Sequence, residues 1–434
     1  MGDAVRAEVT APVEWNGRLL IPRHAIVTGH VAKVNRVGRG LVRERASIQL
    51  AFTGWEHPSG GRHPLTARLR SVDNAREQVN SKGRIQGVLM AGGPPGFMLG
   101  LWRRPEISMF GRSGVGLVGV QGFVAGQMNF NPLVTAGVLA TRLIMIPGPD
   151  PEIHYRPGAE IVLSLDVALS NAPSELLPPV VAPDDGLRSL VARQPFRLST
   201  LKGKPADLTN VLFRGSRVQL IDAFSSAGWY PAEPLTRRSA LRVYQAYLRQ
   251  KAYPTAPMSP LVLEDRPPDL SFQKSLNTAV RRHHLRIWRQ PDHEDREVWL
   301  AAATHDIGYS LKRRGIAHTI DPRIDLERRK VVEDLAFAGC LQGAHVVERS
   351  APPVNKVVTD GRMAVVDLRD CHHRAVAPES APFERMQMKR INRLLRRLVL
   401  DSRHAATRGN VYYWGYRTVR HLARRKQSEP RPSY

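Results

Sequence analysis

Strict alternation of apolar and polar residues is the feature of this sequence that most restricts its fold. Between residues 5 and 13 every second residue is apolar, while Arg6, Glu8 and Thr10 occupy the positions between. Side chains at a period of two lie on opposite faces of a strand, so one face is buried and the other meets solvent. The same period returns at residues 46–52, 65–69 and 161–169.

Turn sequences separate these runs. Asn16-Gly17 and Ser59-Gly60-Gly61 have the small and Asx residues that favour hairpin turns, because such residues accept positive φ. The sequence therefore predicts an N-terminal all-β domain over residues 1–172, as a barrel or a sandwich.

A Gly-rich apolar insert interrupts this domain at residues 113–141, where no charged residue occurs. Its length meets the requirement of about 20 apolar residues for a membrane span. However, Gln121, Gln127 and Pro132 divide it into two short halves. Insertion into a membrane and a buried or loop connection both remain open.

The N-terminal sequence loosely resembles envelope β-barrel domains of the TrbI type from conjugation machinery. The segments that carry this resemblance are GDAVRAEVTAPV, NGRLLIPRHAIVTGHV and ASIQLAF. Arg23-His24 replaces the small turn residues of that pattern. The resemblance implies a cell-envelope or periplasmic location and a signal peptide upstream of Met1. MGDAVRAEV itself has no apolar run behind a basic start, so a cytoplasmic location is expected if Met1 is the true start.

Charge and cysteine content limit the functional classes. The net charge of +25 attracts phosphates, nucleic acid or an anionic membrane surface, but the arginines are spread along the whole chain and select none of these. Cys340 and Cys371 are the two cysteines, which excludes a disulfide scaffold and a Cys-rich zinc site. One bridge between them remains open.

The pattern changes after a segment rich in Pro, Ser and Asp, NAPSELLPPVVAPDDG, which indicates a linker at residues 173–195. Residues 209–213 then read as a buried strand, and residues 218–227 and 239–249 as helices. The sequence thus predicts a C-terminal α/β domain at 196–345, in a chain of the α+β, multi-domain class, and a basic, partly helical tail at 346–434.

Several blocks of this domain, including NVLFRGS, AFSSAGWYPAEPLT, VWLAAATHDIG and HTIDPRIDLERRKVVEDL, are similar in order to the C-terminal domain of LssY-type proteins. That domain has no known activity and is attached in relatives to membrane or envelope partners. The resemblance implies an envelope-associated protein that binds a partner or an anionic, phosphate or lipid-like ligand. Whether the chain is an enzyme stays open.

Residues 281–328 are dense in His, Asp and Arg and contain the candidate site. Neutral imidazoles and carboxylates suit zinc, iron or manganese, so a divalent metal cofactor and a metal-dependent hydrolase form the main alternative. Asp325 or Glu327 would then act as the base. If the strands around the predicted turn at residues 312–315 pair, His305 and His318 should lie within a residue or two in register. The candidate metal or polar ligands are His283, His284, His305, Asp306, His318 and Asp321.

An anion site or a structural ion-pair network uses the other charged residues of the same window. Arginine forks and the start of a helix near Ile324 suit phosphate, but the same groups also pair with carboxylates. The residues concerned are Arg281, Arg282, Arg286, Asp325, Glu327 and Arg328.

The tail contains a basic amphipathic helix at residues 383–404. Such a helix suits an anionic membrane surface, an envelope protein or, as a less favoured alternative, nucleic acid. Docking on its own domain is the remaining interpretation. No helix-turn-helix, zinc-finger or RNA-binding signature supports a nucleic-acid-binding protein.

Overall fold

The computed structural model of the chain describes residues 2–39, 43–89, 150–167, 169, 175–177, 182–249, 251–294, 296–312, 315–349, 357–375, 390–407, 415–420 and 422. The Gly-rich insert at 113–141 lies outside these residues. No helix within the described ranges is both long and apolar enough to cross a membrane.

The N-terminal region is built from strands. They are β1 Ala4–Glu8, β2 Val13–Trp15, β3 Arg18–Ile21, β4 Ile26–Asn35, β5 Ser47–Glu56, β6 Arg62–Val72, β7 Gln78–Val79, β8 Arg84–Gln86, β9 Ile161–Leu165 and β10 Glu175–Leu176. One antiparallel sheet runs β1-β4-β5-β6-β9 with β7 and β8 beside β5, and a small sheet runs β10-β3-β2. Neither sheet closes among the described residues, so the barrel form of the prediction is not supported.

These strands show the predicted alternation of buried apolar and exposed polar residues. In β6, Leu65, Ala67 and Leu69 are buried and the residues between them are exposed. Asn16 and Gly17 have φ of 50° and 71° and form the turn between β2 and β3, the positive-φ geometry that an Asn-Gly pair favours.

The C-terminal region combines helices and a second sheet. Its elements are α1 Asp185–Ala192, β11 Arg197–Thr200, β12 Pro205–Leu208, β13 Val211–Arg214, α2 Arg217–Ser226, β14 Tyr230–Pro231, α3 Arg237–Arg249, β15 Leu261–Val262, β16 Leu270–Lys274, β17 Arg282–His293, β18 Arg296–Lys312, β19 Gly315–Ile320, α4 Ile324–Phe337, β20 Leu341–Glu348, β21 Arg362–Leu368 and α5 Arg390–Thr407.

The large C-terminal sheet runs β14-β16-β17-β18-β13-β21-β20, with β19 beside β18. Only the β13–β21 pair is parallel among the pairs described. Apolar residues of α2 and α4 cover one face of the sheet, and those of α1 cover the other. The described chain is therefore mainly β, and the mostly antiparallel sheet differs from the parallel order that an α/β domain implies.

The elements of the C-terminal sheet and its covering helices extend beyond the predicted domain bounds, 196–345. α1 lies within the predicted linker 173–195, yet its Leu187, Leu190 and Val191 are buried against the sheet. β21 lies in the predicted tail 346–434, yet Val365 and Val366 are fully buried in it. Long-range pairing places β21 inside the sheet, between β13 and β20, and local periodicity cannot show such pairing.

Buried charges join the N-terminal sheet to α4. Lys274 and Lys330 each contact both Glu160, from the N-terminal region, and Asp334 of α4, at 2.5 to 3.1 Å. The indole N–H of Trp229 also donates to Asp334 at 2.9 Å. Because these charges are mutually paired, the cost of burying each of them at this contact is offset by a partner.

A disulfide joins Cys340, at the start of β20, to Cys371, which follows β21. The sequence left this pairing open. The bridge closes a loop of 31 residues and ties the segment after α4 to the segment after β21.

Candidate metal centre

Two neighbouring strands present the polar residues at one end of the large sheet. His283 of β17 lies opposite His305 of β18, and His284 lies opposite Thr304. Since successive side chains alternate between faces, His283 and His305 lie on the α4 side, while His284 and Asp306 lie on the other. The sheet thus divides the predicted cluster into two sites.

His283 is held between two carboxylates. Its Nδ1 lies 2.8 Å from Glu327 Oε2, and its Nε2 lies 2.8 Å from Asp73 Oδ2. Glu327 comes from the first turn of α4, and Asp73 directly follows β6 of the N-terminal sheet. Burial lowers the pKa of His283, but the charges and hydrogen bonds of Asp73 and Glu327 outweigh it and raise the pKa to about 10.

His305 completes a group of three. Its ring stacks on that of His283 with 4.3 Å between centroids, and its Nε2 lies 2.9 Å from Asn74 Oδ1. Burial and the neighbouring charge of His283 lower the pKa of His305. One ligand atom each from Asp73, His283 and His305 lies within 4.8 Å of the other two. Two imidazoles and one carboxylate at this spacing match a three-ligand transition-metal site.

Glu327 gives this group the outer-shell feature of metal sites. A metal-ligating histidine usually donates its other ring N–H to a carboxylate, which fixes the tautomer and the ring orientation. Glu327 Oε2 is placed to accept that bond from Nδ1, which leaves Nε2 on the side of Asp73. Glu327 therefore orients His283 through Nδ1, and its role as a base stays a prediction.

Asp73 was absent from the sequence-based candidates. It lies 210 residues before His283, and no periodicity connects two positions so far apart. The one local signal is Asp73-Asn74 directly after the last residue of β6, at a strand end where polar side chains commonly meet a neighbouring site.

The opposite face contains a second polar cluster. Asp306 Oδ2 lies 2.6 Å from His284 Nε2 and 2.6 Å from His318 Nδ1. Burial is the largest effect on His284 and lowers its pKa to about 4, despite the charge of Asp306. A neutral His284 that donates to Asp306 accounts for this contact without a metal.

The register of His318 differs from the expectation. β18 and β19 pair Lys312 with Gly315, which places His318 opposite Tyr309 and four residues from His305 along β18. The prediction was wrong because the two strands reach their histidines at unequal distances from the turn. Asp321 lies beside His305 instead: its backbone N–H donates to the His305 carbonyl at 2.9 Å, while its carboxylate pairs with Arg323.

The arginines predicted for an anion site are directed to protein groups. Arg281 donates to the Ala75 carbonyl, Arg282 to Gln273 Oε1, and Arg286 to Asp207 and Ser259. The largest network is at the start of α4, where Arg328 pairs with Asp325 and Asp360.

Asp325 accepts hydrogen bonds from the Thr359 hydroxyl and the Asp360 backbone N–H. Asp325 thus joins the start of α4 to residues 359–360, and its role as a base stays a prediction. The first turn of α4 already holds the acidic residues Asp325 and Glu327, which complement the helix dipole and disfavour a bound anion there.

A second group, Glu8, His24 and His373, also presents ligand atoms within 4.8 Å of one another. His24 Nδ1 lies 2.7 Å from Glu8 Oε1, and its ring stacks on Phe337. The side chains of the group are 34 to 39% exposed, and the described residues place no second carboxylate against either ring. It resembles an ordinary surface contact more than a metal site.

Residues 191–363 match the family model described as LssY C-terminus, which defines the class of domain that holds His283, His305 and Glu327. The chain contains an LssY C-terminal domain. No curated protein and no solved structure matches the chain. The likeness of the N-terminal sheet to TrbI-type domains stays a resemblance.

Proposed function

We propose that this protein binds a divalent transition-metal ion, zinc in the first instance, through Asp73, His283 and His305. The observation that carries the proposal is the convergence of these three ligand atoms, with Glu327 bonded to the far nitrogen of His283. The metal takes the place of the proton on His283 Nε2, as metals do when they bind imidazole.

The arrangement favours a hydrolytic role. Three protein ligands leave a fourth position for water, whose pKa zinc lowers to about 7 in catalytic sites. The Asp73 side chain is 22% exposed and His305 is partly buried, so water has access to this side of the group. The reaction class is therefore metal-assisted hydrolysis, with Glu327 holding His283 in place.

Metal analysis tests the binding. Protein purified without chelator, loaded with zinc and desalted, should retain about one equivalent, and Asp73→Ala and His305→Ala should retain little. His24→Ala is the matched control, because it removes a histidine of the second group and should leave the bound zinc unchanged. Wild-type protein that retains no zinc contradicts the proposal.

Hydrolysis is tested separately with p-nitrophenyl acetate and p-nitrophenyl phosphate. Turnover that requires zinc and is lost in His305→Ala supports a hydrolase. If the protein binds stoichiometric zinc but hydrolyses neither ester, the metal-binding proposal stands and the hydrolase proposal fails.

A second proposal concerns an anionic membrane surface as partner. Ile391, Leu394, Leu395 and Leu398 of α5 are 56 to 66% exposed and form one row at helical spacing. Arg397 borders the row on one side, and the helix carries five arginines against one aspartate, which suits anionic headgroups. Leu394→Asp should abolish co-sedimentation with phosphatidylglycerol vesicles, and Leu176→Asp, an exposed leucine elsewhere, should not. Sedimentation that Leu394→Asp does not change contradicts this proposal.

We also propose an envelope or periplasmic location, which the disulfide supports because such bridges persist in oxidising compartments. Rapid alkylation of intact cells followed by mass spectrometry should find Cys340 and Cys371 unlabelled. Labelled thiols in freshly quenched cells contradict an oxidising compartment.

A further inference from the structure

A cleft of about 700 Å³ lies between α1 and the edge strand β20, away from the metal group. None of Asp73, His283 and His305 lines it. The lining residues are Pro183, Arg188, Ala192, Gln194, Phe196, Val346, Glu348, Arg349 and Arg362. This volume is within the range of about 300 to 1,000 Å³ that small-molecule sites occupy.

Arg349 is the central charge of the cleft. It donates to the Thr209 carbonyl and hydroxyl and to the Gln194 carbonyl at 2.7 to 3.1 Å, and its Cζ lies 4.5 Å from the Phe196 ring centroid. No carboxylate in the described part of the chain forms an ion pair with it. Burial lowers its pKa to about 10. A desolvated cation is normally paired with an anion, so an anionic ligand would stabilise this guanidinium.

Two more arginines reach the same cleft. Arg188 pairs with Asp185, and Arg362 pairs with Glu348, at 3.0 and 3.2 Å. Both arginine side chains are about half exposed, so these pairs are weak and exchange readily for a ligand. Three arginines therefore face the cleft against one glutamate, Glu348.

The rest of the lining is apolar. Pro183, Ala192, Phe196 and Val346 provide carbon surface beside the arginines. The Gln194 carbonyl beside them is already occupied by Arg349. The site combines a cationic end and an apolar wall.

We infer that this cleft binds an organic phosphate monoester, with the phosphate against Arg349, Arg188 and Arg362 and a small apolar body against Phe196. Arginine forks bind phosphate oxygens through paired, charge-assisted hydrogen bonds, and three guanidiniums match a dianion. The inference is independent of the proposed metal site.

Isothermal titration of the full chain with phenyl phosphate tests it, with inorganic phosphate and phenol as the two halves of the ligand. Phenyl phosphate should bind more tightly than either half. The Arg188→Gln/Arg362→Gln double variant should weaken binding by roughly tenfold or more, because each arginine loses a charge-assisted bond. Arg62→Gln, an exposed arginine paired with Glu56, is the control and should bind as wild type.

The double variant avoids Arg349, whose bonds to Thr209 and Gln194 also hold the fold, and its unfolding temperature should match that of the control. A response to short-chain phosphatidate but not to phenyl phosphate would assign the phosphate to a lipid headgroup, and a response to both would assign it to soluble monoesters. The absence of saturable binding to either, or equal affinities of the double variant and Arg62→Gln, would overturn the inference.

Discussion

His283 and His305 face each other across β17 and β18 with 4.3 Å between their ring centroids. Two stacked imidazoles so close together do not both carry a charge, and burial together with the cation on His283 lowers the pKa of His305. His305 is therefore the neutral member of the pair and has a nitrogen lone pair for a ligand. The asymmetry arises from Glu327 and Asp73, which both contact His283.

Glu327→Gln should weaken zinc binding about 10- to 100-fold, because outer-shell carboxylates orient the histidine and raise its basicity. Competition with a chromophoric chelator measures the zinc affinity. Glu333→Gln lies on the same helix and pairs with Arg23, so it is the matched control and should keep wild-type affinity. Equal affinities in the two variants would show that Glu327 has no role in metal binding.

Reduction of the Cys340–Cys371 bridge should lower the free energy of unfolding by roughly 3 to 4 kcal/mol, since the bridge restricts a loop of 31 residues in the unfolded chain. Urea unfolding with and without reductant measures the difference. Because Cys340 is fully buried, a Cys340→Ala/Cys371→Ala variant is the control, and reductant should not change its stability. Loss of stability in that variant on adding reductant would assign the effect to something else.

The pattern of neighbouring residues in the sequence predicted the strands and turns, which depend on local backbone geometry. The alternation of Leu65, Ala67 and Leu69 predicted β6, and the Asn16-Gly17 turn predicted the β2–β3 hairpin. Both follow from the period of a strand and the backbone preferences of a few adjacent residues, which a single sequence contains. The family resemblance was confirmed for the same reason: its blocks are contiguous, and the match covers residues 191–363.

Convergence of distant residues was not predictable in this way. His283 meets Glu327 across 44 residues and Asp73 across 210, and the packing of α4 and of the segment after β6 against β17 brings them together. The density of His and Asp in residues 281–328 located the right strands. It also placed His283 and His284 in one cluster, whereas adjacent residues of a strand point to opposite faces.

Acid should destabilise the contact between the two regions through Asp334. Burial raises the pKa of this carboxyl, but the charges of Lys274 and Lys330 outweigh it and hold the pKa below its ordinary value. A carboxyl with a depressed folded pKa stabilises the fold fully above its unfolded value, near 3.9, and this contribution is lost as pH falls through the folded pKa.

Asp334→Asn should lower the free energy of unfolding by about 3 to 5 kcal/mol at pH 7, since it leaves two buried ammonium groups short of a partner. Its stability should also fall less steeply than that of wild type as the pH drops below 4. Chemical unfolding between pH 7 and 3 measures both effects. Asp370→Asn changes an exposed carboxyl that accepts a hydrogen bond from the Gln219 amide, and it should retain the wild-type slope. Parallel slopes in all three proteins would contradict the assignment to Asp334.

The two faces of α5 should respond differently to truncation. Leu400 is 2% exposed and packs with Val37 and Ala46 of the N-terminal region, whereas Leu394 is 61% exposed. Leu400→Ala leaves a cavity and should lower the free energy of unfolding by about 2 to 3 kcal/mol. Leu394→Ala should change it by less than about 0.5 kcal/mol, as exposed substitutions do. Urea unfolding measures both variants, and equal small effects would mean that α5 does not dock on the N-terminal region through Leu400.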